Sequence, residues 1–228
     1  MKNIKLKILI IALAFPFIAE AGDGGYLFLR GGLTDPVVEI KASSRYGTII
    51  TETGIGSYFG AGIGYRIMEN LRLEGEVGYR SNEINDARVI DRSLIVGSEV
   101  KGGDGNVTSW SFLVNIRYDL LFAGRWSMHL GGGIGAARIS LRDFSLLISP
   151  VVPDPQTWKL LLSNDSDWEF AYQAGIGIAF QLNETFTFDL DYTNFATAGL
   201  EFITVDGTKF GEEHRSSNYQ LSIRCFFF

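Results

Sequence analysis

Two histidines are the only imidazoles in the chain, His129 and His214. Each could act as a general base or metal ligand. Ser127 lies two residues before His129. A serine and a histidine in hydrogen-bond reach on one accessible face could transfer an acyl group. His214 follows Glu212 and Glu213, which reads as a solvated, charged segment. Neither histidine has a second ligand at metal spacing, so no metal or other cofactor is expected. Asp189 and Asp191 are a close carboxylate pair of the kind general acid–base chemistry uses. Ser44 and Ser163 have no histidine or aspartate partner that the sequence can identify. Whether any of these groups can work depends on which face of which element carries it.

The elements are strands. From Trp168 to Phe180, alternate residues Trp168, Phe170, Tyr172, Ala174, Ile176, Ile178 and Phe180 are apolar or aromatic, while Glu169, Gln173, Gly175, Gly177 and Gln181 are small or polar. The pattern resumes with Phe186, Phe188, Leu190 and Tyr192 against Thr187, Asp189, Asp191 and Thr193. A period of two puts successive side chains on opposite faces of a strand. Twelve steps at ~3.3 Å, tilted by ~45°, cover roughly 28 Å, close to the thickness of a bilayer core. Aromatics flank an aliphatic middle, as on a lipid-facing strand.

The same alternation recurs along the chain. Strands are expected near residues 25–34, 58–67, 71–79, 109–119 and 126–135, in the hairpin just described, and in 216–228. Short connections fall near Met68–Asn70, Leu121–Arg125 and Leu182–Thr185; long loops fall at residues 35–57, 81–106, 138–167 and 194–215. Eight strands with connections alternating short and long predict an all-β, eight-stranded antiparallel transmembrane β-barrel, an up-and-down meander. Its short turns lie in the periplasm and its long loops outside the cell. A soluble barrel would need its bulky apolar set inside; here that set forms the other face from the glycines and charges. A barrel this narrow is filled by its own side chains. Arg30, Arg66, Arg72 and Arg117 therefore share the lumen with Glu74, Glu76, Asp119, Glu169, Asp189 and Asp191. Buried charges must be paired, so an internal salt-bridge network is expected, with glycines giving the arginines room. On this reading His129 and Ser127 face the lumen rather than lipid, and Asp189 and Asp191 are counter-ions. A conducting pore would need a wider, open lumen.

Composition agrees. Glycine is frequent at 27 residues and aromatics reach 13%. Mean hydropathy is slightly positive, yet beyond the N-terminus no apolar run is long enough for a membrane helix. Lys2, Lys5 and Lys7 precede the apolar segment Ile8–Phe17, and Ala19 and Ala21 frame an A-x-A cleavage site. Residues 1–21 thus read as a secretory signal and 22–228 as the barrel domain; the alternative, a retained anchor helix, would have too short an apolar core. Removal of the signal takes away three lysines and Glu20, leaving 17 Lys+Arg against 25 Asp+Glu and a net charge of −8. An acidic exported chain without a basic cluster is not expected to bind nucleic acid. The single cysteine, Cys225, cannot form an internal disulfide.

Four stretches carry a resemblance to a known family. They are Phe59-Gly60-Ala61-Gly62-Ile63-Gly64-Tyr65, Gly131-Gly132-Gly133-Ile134-Gly135, Ala171 to Gly177 with the following Leu190-Asp191-Tyr192, and Cys225-Phe226-Phe227-Phe228. The chain resembles the small eight-stranded outer-membrane β-barrels, which include the OmpA transmembrane domain, OmpX and opacity-protein-like surface antigens. The resemblance implies a place in the bacterial outer membrane, among its lipids and lipopolysaccharide. It also implies a C-terminal signal, here Tyr219, Leu221, Ile223, Phe226, Phe227 and Phe228, read by the barrel assembly machinery. The register Tyr219, Leu221, Ile223, Cys225, Phe227 suits lipid better than the register ending at Phe228. No peptidoglycan-binding domain follows, so anchoring to the cell wall is not expected. Lipid A deacylases of this architecture carry a histidine and serine on an outward face, which this chain does not show. The expectation is a non-enzymatic, porin-like surface antigen, with a small pore or lipid-modifying enzyme as the alternatives. Its contacts with a host or matrix ligand would run through the loops. The long loop at 138–167 is the apolar one: Phe144, Leu146, Leu147, Ile148, Val151, Val152, Trp158 and Leu160 are dense enough to suggest a contact surface. Strands that continue past the membrane and pack these residues on each other are the alternative.

Overall fold

The computed structural model describes residues 24–36, 40–44, 47–90, 100–148, 165–198, 202–203, 209–210 and 214–227. All regular structure among them is β. The strands are β1 (Gly25–Pro36), β2 (Ile40–Ser44), β3 (Gly47–Thr53), β4 (Gly56–Met68), β5 (Leu71–Ile90), β6 (Val100–Ala123), β7 (Trp126–Ile148), β8 (Asp165–Gln181), β9 (Phe186–Thr197), β10 (Phe202–Ile203), β11 (Lys209–Phe210) and β12 (Arg215–Phe227). Eight of them close a ring in the order β5-β4-β1-β12-β9-β8-β7-β6, with β6 returning to β5. Every pairing is antiparallel, and the N-terminal strand meets the C-terminal one, Gly25 opposite Phe227. Closure leaves the barrel wall no free edge to template aggregation.

The alternation read from sequence decides the two faces. Outward residues are large, apolar and bare: Leu221 is 68% exposed and Leu29 62%, with Ile134, Phe59, Leu190 and Ile116 similar. Inward residues are polar and buried: Arg72 is 1% exposed and Glu74 0%. A soluble protein does not leave a contiguous apolar belt around its whole girth, so lipid covers it. The three short connections lie at one end, beside Gly25 and Phe227. Gly124, at a φ of 57°, makes the second. Asn183 makes the third, its Oδ1 accepting from the backbone N–H of Thr185 (3.0 Å) and Phe186 (2.7 Å).

The structure corrects the expected loops. Residues 35–57 contain the hairpin β2–β3, and β3 pairs with the upper part of β5, Thr48 opposite Ile90. Strand β5 runs on to Ile90, β6 starts at Val100 and β7 reaches Ile148. The ladder continues, but once past the membrane neither face need be uniformly apolar. The period-two signal fades while the hydrogen bonds persist. Phe144, Leu146, Leu147 and Ile148 thus belong to the end of β7; Val151, Val152, Trp158 and Leu160 lie outside the described residues, as do residues 1–23, with Ala19 and Ala21, and Phe228.

Candidate functional site

Among the described residues, the buried charges gather in the barrel lumen, and Glu74 is their hub. Strand β5 places Arg72, Glu74 and Glu76 on the inward face at successive alternate positions. Glu74 accepts from Arg30 Nη2 at 2.6 Å, Arg72 Nη1 at 2.9 Å, Arg117 Nε at 2.9 Å and the Tyr26 hydroxyl at 2.8 Å. Arg72 and Arg117 are directly opposite in register. Two like charges so placed repel each other, and the shared carboxylate offsets that. Glu76 accepts from Arg30 Nη1, from the Tyr58 hydroxyl at 2.6 Å and from Asn115 Nδ2 at 2.9 Å.

Two bidentate forks end the network. Arg72 donates from Nε and Nη2 to Asp119, both at 2.7 Å. Arg224 donates to Asp189 at 2.8 and 2.6 Å. Between them, Arg117 Nη1 reaches Asp191 at 2.8 Å, and His129 Nε2 meets the same carboxylate oxygen at 2.7 Å. Ser222 Oγ lies within hydrogen-bond distance of both Asp189 (3.2 Å) and Asp191 (3.3 Å) and shares its one proton between them. The chain of contacts runs Asp119–Arg72–Glu74–Arg117–Asp191, with Arg30 joining Glu74 to Glu76. Planar guanidinium forks suit this task, since each holds a carboxylate in a fixed orientation.

Of the residues assigned to this network from sequence, the structure brings together Arg30, Arg72, Glu74, Glu76, Arg117, Asp119, Asp189 and Asp191. Arg66 is a correction. It has the inward parity but sits at the last turn of β4, where the register shifts, and is exposed at the periplasmic rim. There its guanidinium lies 5.4 Å from the Phe226 ring centre. Glu169 is half-buried near the other end of the barrel, opposite Ala137 in register. Tyr26, Tyr58, Arg80, Asn115, Gln173 and Arg224 were not assigned to the network. Their signal was the same parity: Arg80 continues the series Arg72, Glu74, Glu76, Gly78, and Arg224 lies on the face opposite Ile223 and Cys225.

Above the acids the lumen changes character. Leu113, Ala137, Ala171 and Phe195 form a buried apolar cluster. Arg80 lies between aromatic faces, 3.8 Å from the Phe195 ring centre and 4.8 Å from that of Tyr58. It donates to Ser111 Oγ at 2.9 Å and Asn218 Oδ1 at 3.3 Å. Glycines admit the bulky groups, but not chiefly for the arginines as expected. A Cβ on Gly60 would collide with the Tyr58 ring, on Gly62 with Phe28, on Gly64 with Tyr26 and on Gly133 with Asn115; among these inward glycines, Gly131 faces an arginine, Arg117. A cavity of about 10 Å³ lies among Asn115, Arg117, Gln173 and Thr193, room for about one water.

His129 is 1% exposed and held by Asp191, so its imidazole is turned into the lumen and away from lipid. His214 precedes β12, five residues beyond Tyr219 of the outer aromatic belt, and its ring meets Phe195 edge-on at 6.3 Å. Burial, helped by the charge of Arg80, pushes its pKa down to about 4. An unfolded histidine titrates near ~6.5. The folded form therefore has its full advantage above pH ~6.5 and loses it as the pH falls toward about 4. The His214 ring resonances in an NMR titration should stay at their neutral positions at pH ~5.5; a midpoint near the free value would refute the buried placement.

Residues 9–222 match the family described as outer membrane protein beta-barrel domain. Among solved structures, Neisserial surface protein A is similar, with a TM-score of 0.53 at 15% identity, covering 91% of this chain and 100% of that one. The outer membrane protein OprG from Pseudomonas aeruginosa gives a TM-score of 0.55 at 12% identity, over 91% and 98% of the two chains. An uncharacterized protein of Brucella abortus (strain 2308) is 27% identical over 150 residues, 60% of this chain and 50% of its own length. The chain spans about half the length of the curated relatives it matches. With its lipid-facing girth and charge-filled lumen, the chain belongs to the outer membrane protein β-barrel family and resides in the bacterial outer membrane.

Proposed function

We propose that the protein is a non-enzymatic surface barrel, a surface antigen whose filled lumen is a rigid frame for extracellular contacts with a host or matrix ligand. The observation that carries this reading is the division of the molecule. Inside the membrane the carboxylates at its centre are tied to arginines or to His129, and a buried apolar cluster of Leu113, Ala137, Ala171 and Phe195 adds to the filling of the lumen. Beyond the membrane the wall itself continues, with β2–β3 added to β5 and β7 extended to Ile148. Loops held by a rigid scaffold commonly carry function. The signal segment with Ala19 and Ala21, and the recognition of Tyr219, Leu221, Ile223, Phe226, Phe227 and Phe228 by the assembly machinery, belong to the same reading, as export and insertion steps.

The alternatives ask for features of other kinds. A lipid-modifying enzyme needs its histidine at the lipid boundary, and His129 is within the lumen. A small pore needs a continuous aqueous path past the Glu74 cluster. Deleting residues 145–162 tests the proposal. The shortened barrel should still fold, seen as a migration shift between unboiled and boiled protein on a denaturing gel. Its binding to host cells or extracellular matrix should fall by about tenfold, ~1.4 kcal/mol. Unchanged binding would refute the loop contact, and steady single-channel steps in planar bilayers would replace it with the pore.

A further inference from the structure

Among the described residues, an outward patch on β6, β7 and β8 departs from the plain apolar belt. Three neighbouring strands place Trp110, Arg138 and Trp168 opposite one another in register, and one row further from the periplasm Thr108, Ser140 and Ser166. Trp110 and Trp168 are 49% and 46% exposed, so this row faces the membrane rather than the lumen. Arg138 is exposed between them. The row stands at the level of the outer aromatic girdle: Trp110 packs on Tyr79 with ring centres 4.9 Å apart, and Trp168 on Phe112 at 5.9 Å. Arg138 is turned toward the hydroxyl row, donating to Ser166 Oγ from Nη2 at 2.9 Å and from Nε at 3.3 Å. An outward acid, Glu83, is on β5, two strands away and in the more distal row that pairs with Asn106.

The chemistry of this patch is specific. At girdle depth the surroundings are lipid headgroups, not bulk water. A guanidinium there matches a phosphate, hydroxyls complete its hydrogen bonds, and indole faces take the apolar faces of sugar rings. The protein itself is acidic, so attraction by general positive charge is not available to it. We propose that this patch holds the headgroup of an outer-leaflet phosphorylated glycolipid, with Arg138 on a phosphate, Ser140 and Ser166 on the same headgroup, and Trp110 and Trp168 flanking its sugars. The occupant is a lipid in the plane of the membrane. It docks from the side, beside the barrel, and leaves the distal loops open to other contacts.

The test uses the full chain refolded in detergent micelles, with lipid A as the probe and native mass spectrometry to count retained lipid. Wild-type protein should keep lipid A through detergent exchange. Arg138→Gln should weaken retention about tenfold or more, the usual effect of removing a charge-assisted hydrogen bond, and Ser166→Ala should weaken it by less. Arg66→Gln, which removes an exposed cation at the opposite rim, should leave it unchanged. Each variant must keep its heat-dependent gel shift, so that a loss of binding is not a loss of fold. Dephosphorylated lipid A and phosphatidylglycerol should both be retained about tenfold less well than lipid A. Equal retention by Arg138→Gln, an equal loss in Arg66→Gln, or equal retention of dephosphorylated lipid A or phosphatidylglycerol would each overturn the assignment.

Discussion

Glu74→Gln is expected to destabilise the barrel by about 3–5 kcal/mol, the range for breaking a buried ion pair by removing one partner. The substitution preserves shape and removes only charge. In the native lumen the Glu74 carboxylate accepts four donors, from Arg30, Arg72, Arg117 and Tyr26. Glutamine presents an amide NH₂ where one carboxylate oxygen stood, so at least one guanidinium meets another donor. Arg72 retains Asp119, Arg117 retains Asp191 and Arg30 retains Glu76, which holds the cost within that range rather than above it. Glu74 is fully buried, so bulk water does not reach the surplus charge. The check is equilibrium urea unfolding of the refolded barrel in micelles, with Glu184→Gln as the control. Glu184 is exposed in the turn between β8 and β9, and its change should stay within ~0.5 kcal/mol. A Glu74→Gln penalty below ~1 kcal/mol would mean that the arginines are solvated through the lumen, and the filled-barrel description would fail with it.

How far this hub was legible from sequence follows from what a period of two encodes. Parity says which face a residue is on, and every strand crossing the membrane is readable that way, because lipid favours apolar residues at most outward positions. Parity does not give depth. Arg66 and Arg72 share the inward face, yet Arg66 stands at the rim beyond the filled section. Nor does it give partners. Which carboxylate meets which guanidinium depends on how each strand is staggered against the next. Arg117 spans 43 residues to Glu74 and 74 to Asp191, distances no local pattern contains. The strand extensions β2, β3 and upper β5 were missed for a different reason. Outside the bilayer both faces of a sheet can meet water, so the ladder persists without an alternating sequence to announce it. Among the described residues, Arg80 has no acid in hydrogen-bond contact; its neighbours are Phe195, Tyr58, Ser111 and Asn218, a set that charge counting does not assemble.

Glycine is the residue whose meaning changed most between sequence and structure, and two identical substitutions should separate its roles. Gly177→Ala is expected to cost about 1–3 kcal/mol, the usual penalty for forcing a methyl into a packed interior. A Cβ at Gly177 would lie 2.5 Å from His129 Nε2 and 2.6 Å from Asp191 Oδ1. It would thus wedge into the contact between them, itself 2.7 Å long. Asp191 also holds Arg117, so the strain passes from β8 to β6 through a single carboxylate. Retreat is blocked, because His129 and Asp191 are buried and neither is the far end of a flexible chain. Gly31→Ala is the contrast. Gly31 is on the lipid-facing side of β1 with nothing within 4 Å of the added Cβ. Its change should lie within ~0.5 kcal/mol or stabilise, since alanine restricts the unfolded chain more than glycine does. Urea midpoints of the two variants, measured in the same micelles, decide the matter. Equal midpoints would show that the inward glycines are not spaces reserved for neighbouring side chains. A selective loss at Gly177 would show that the alternating glycines are the negative image of the polar network, placed where one strand must leave room for the side chains of the next.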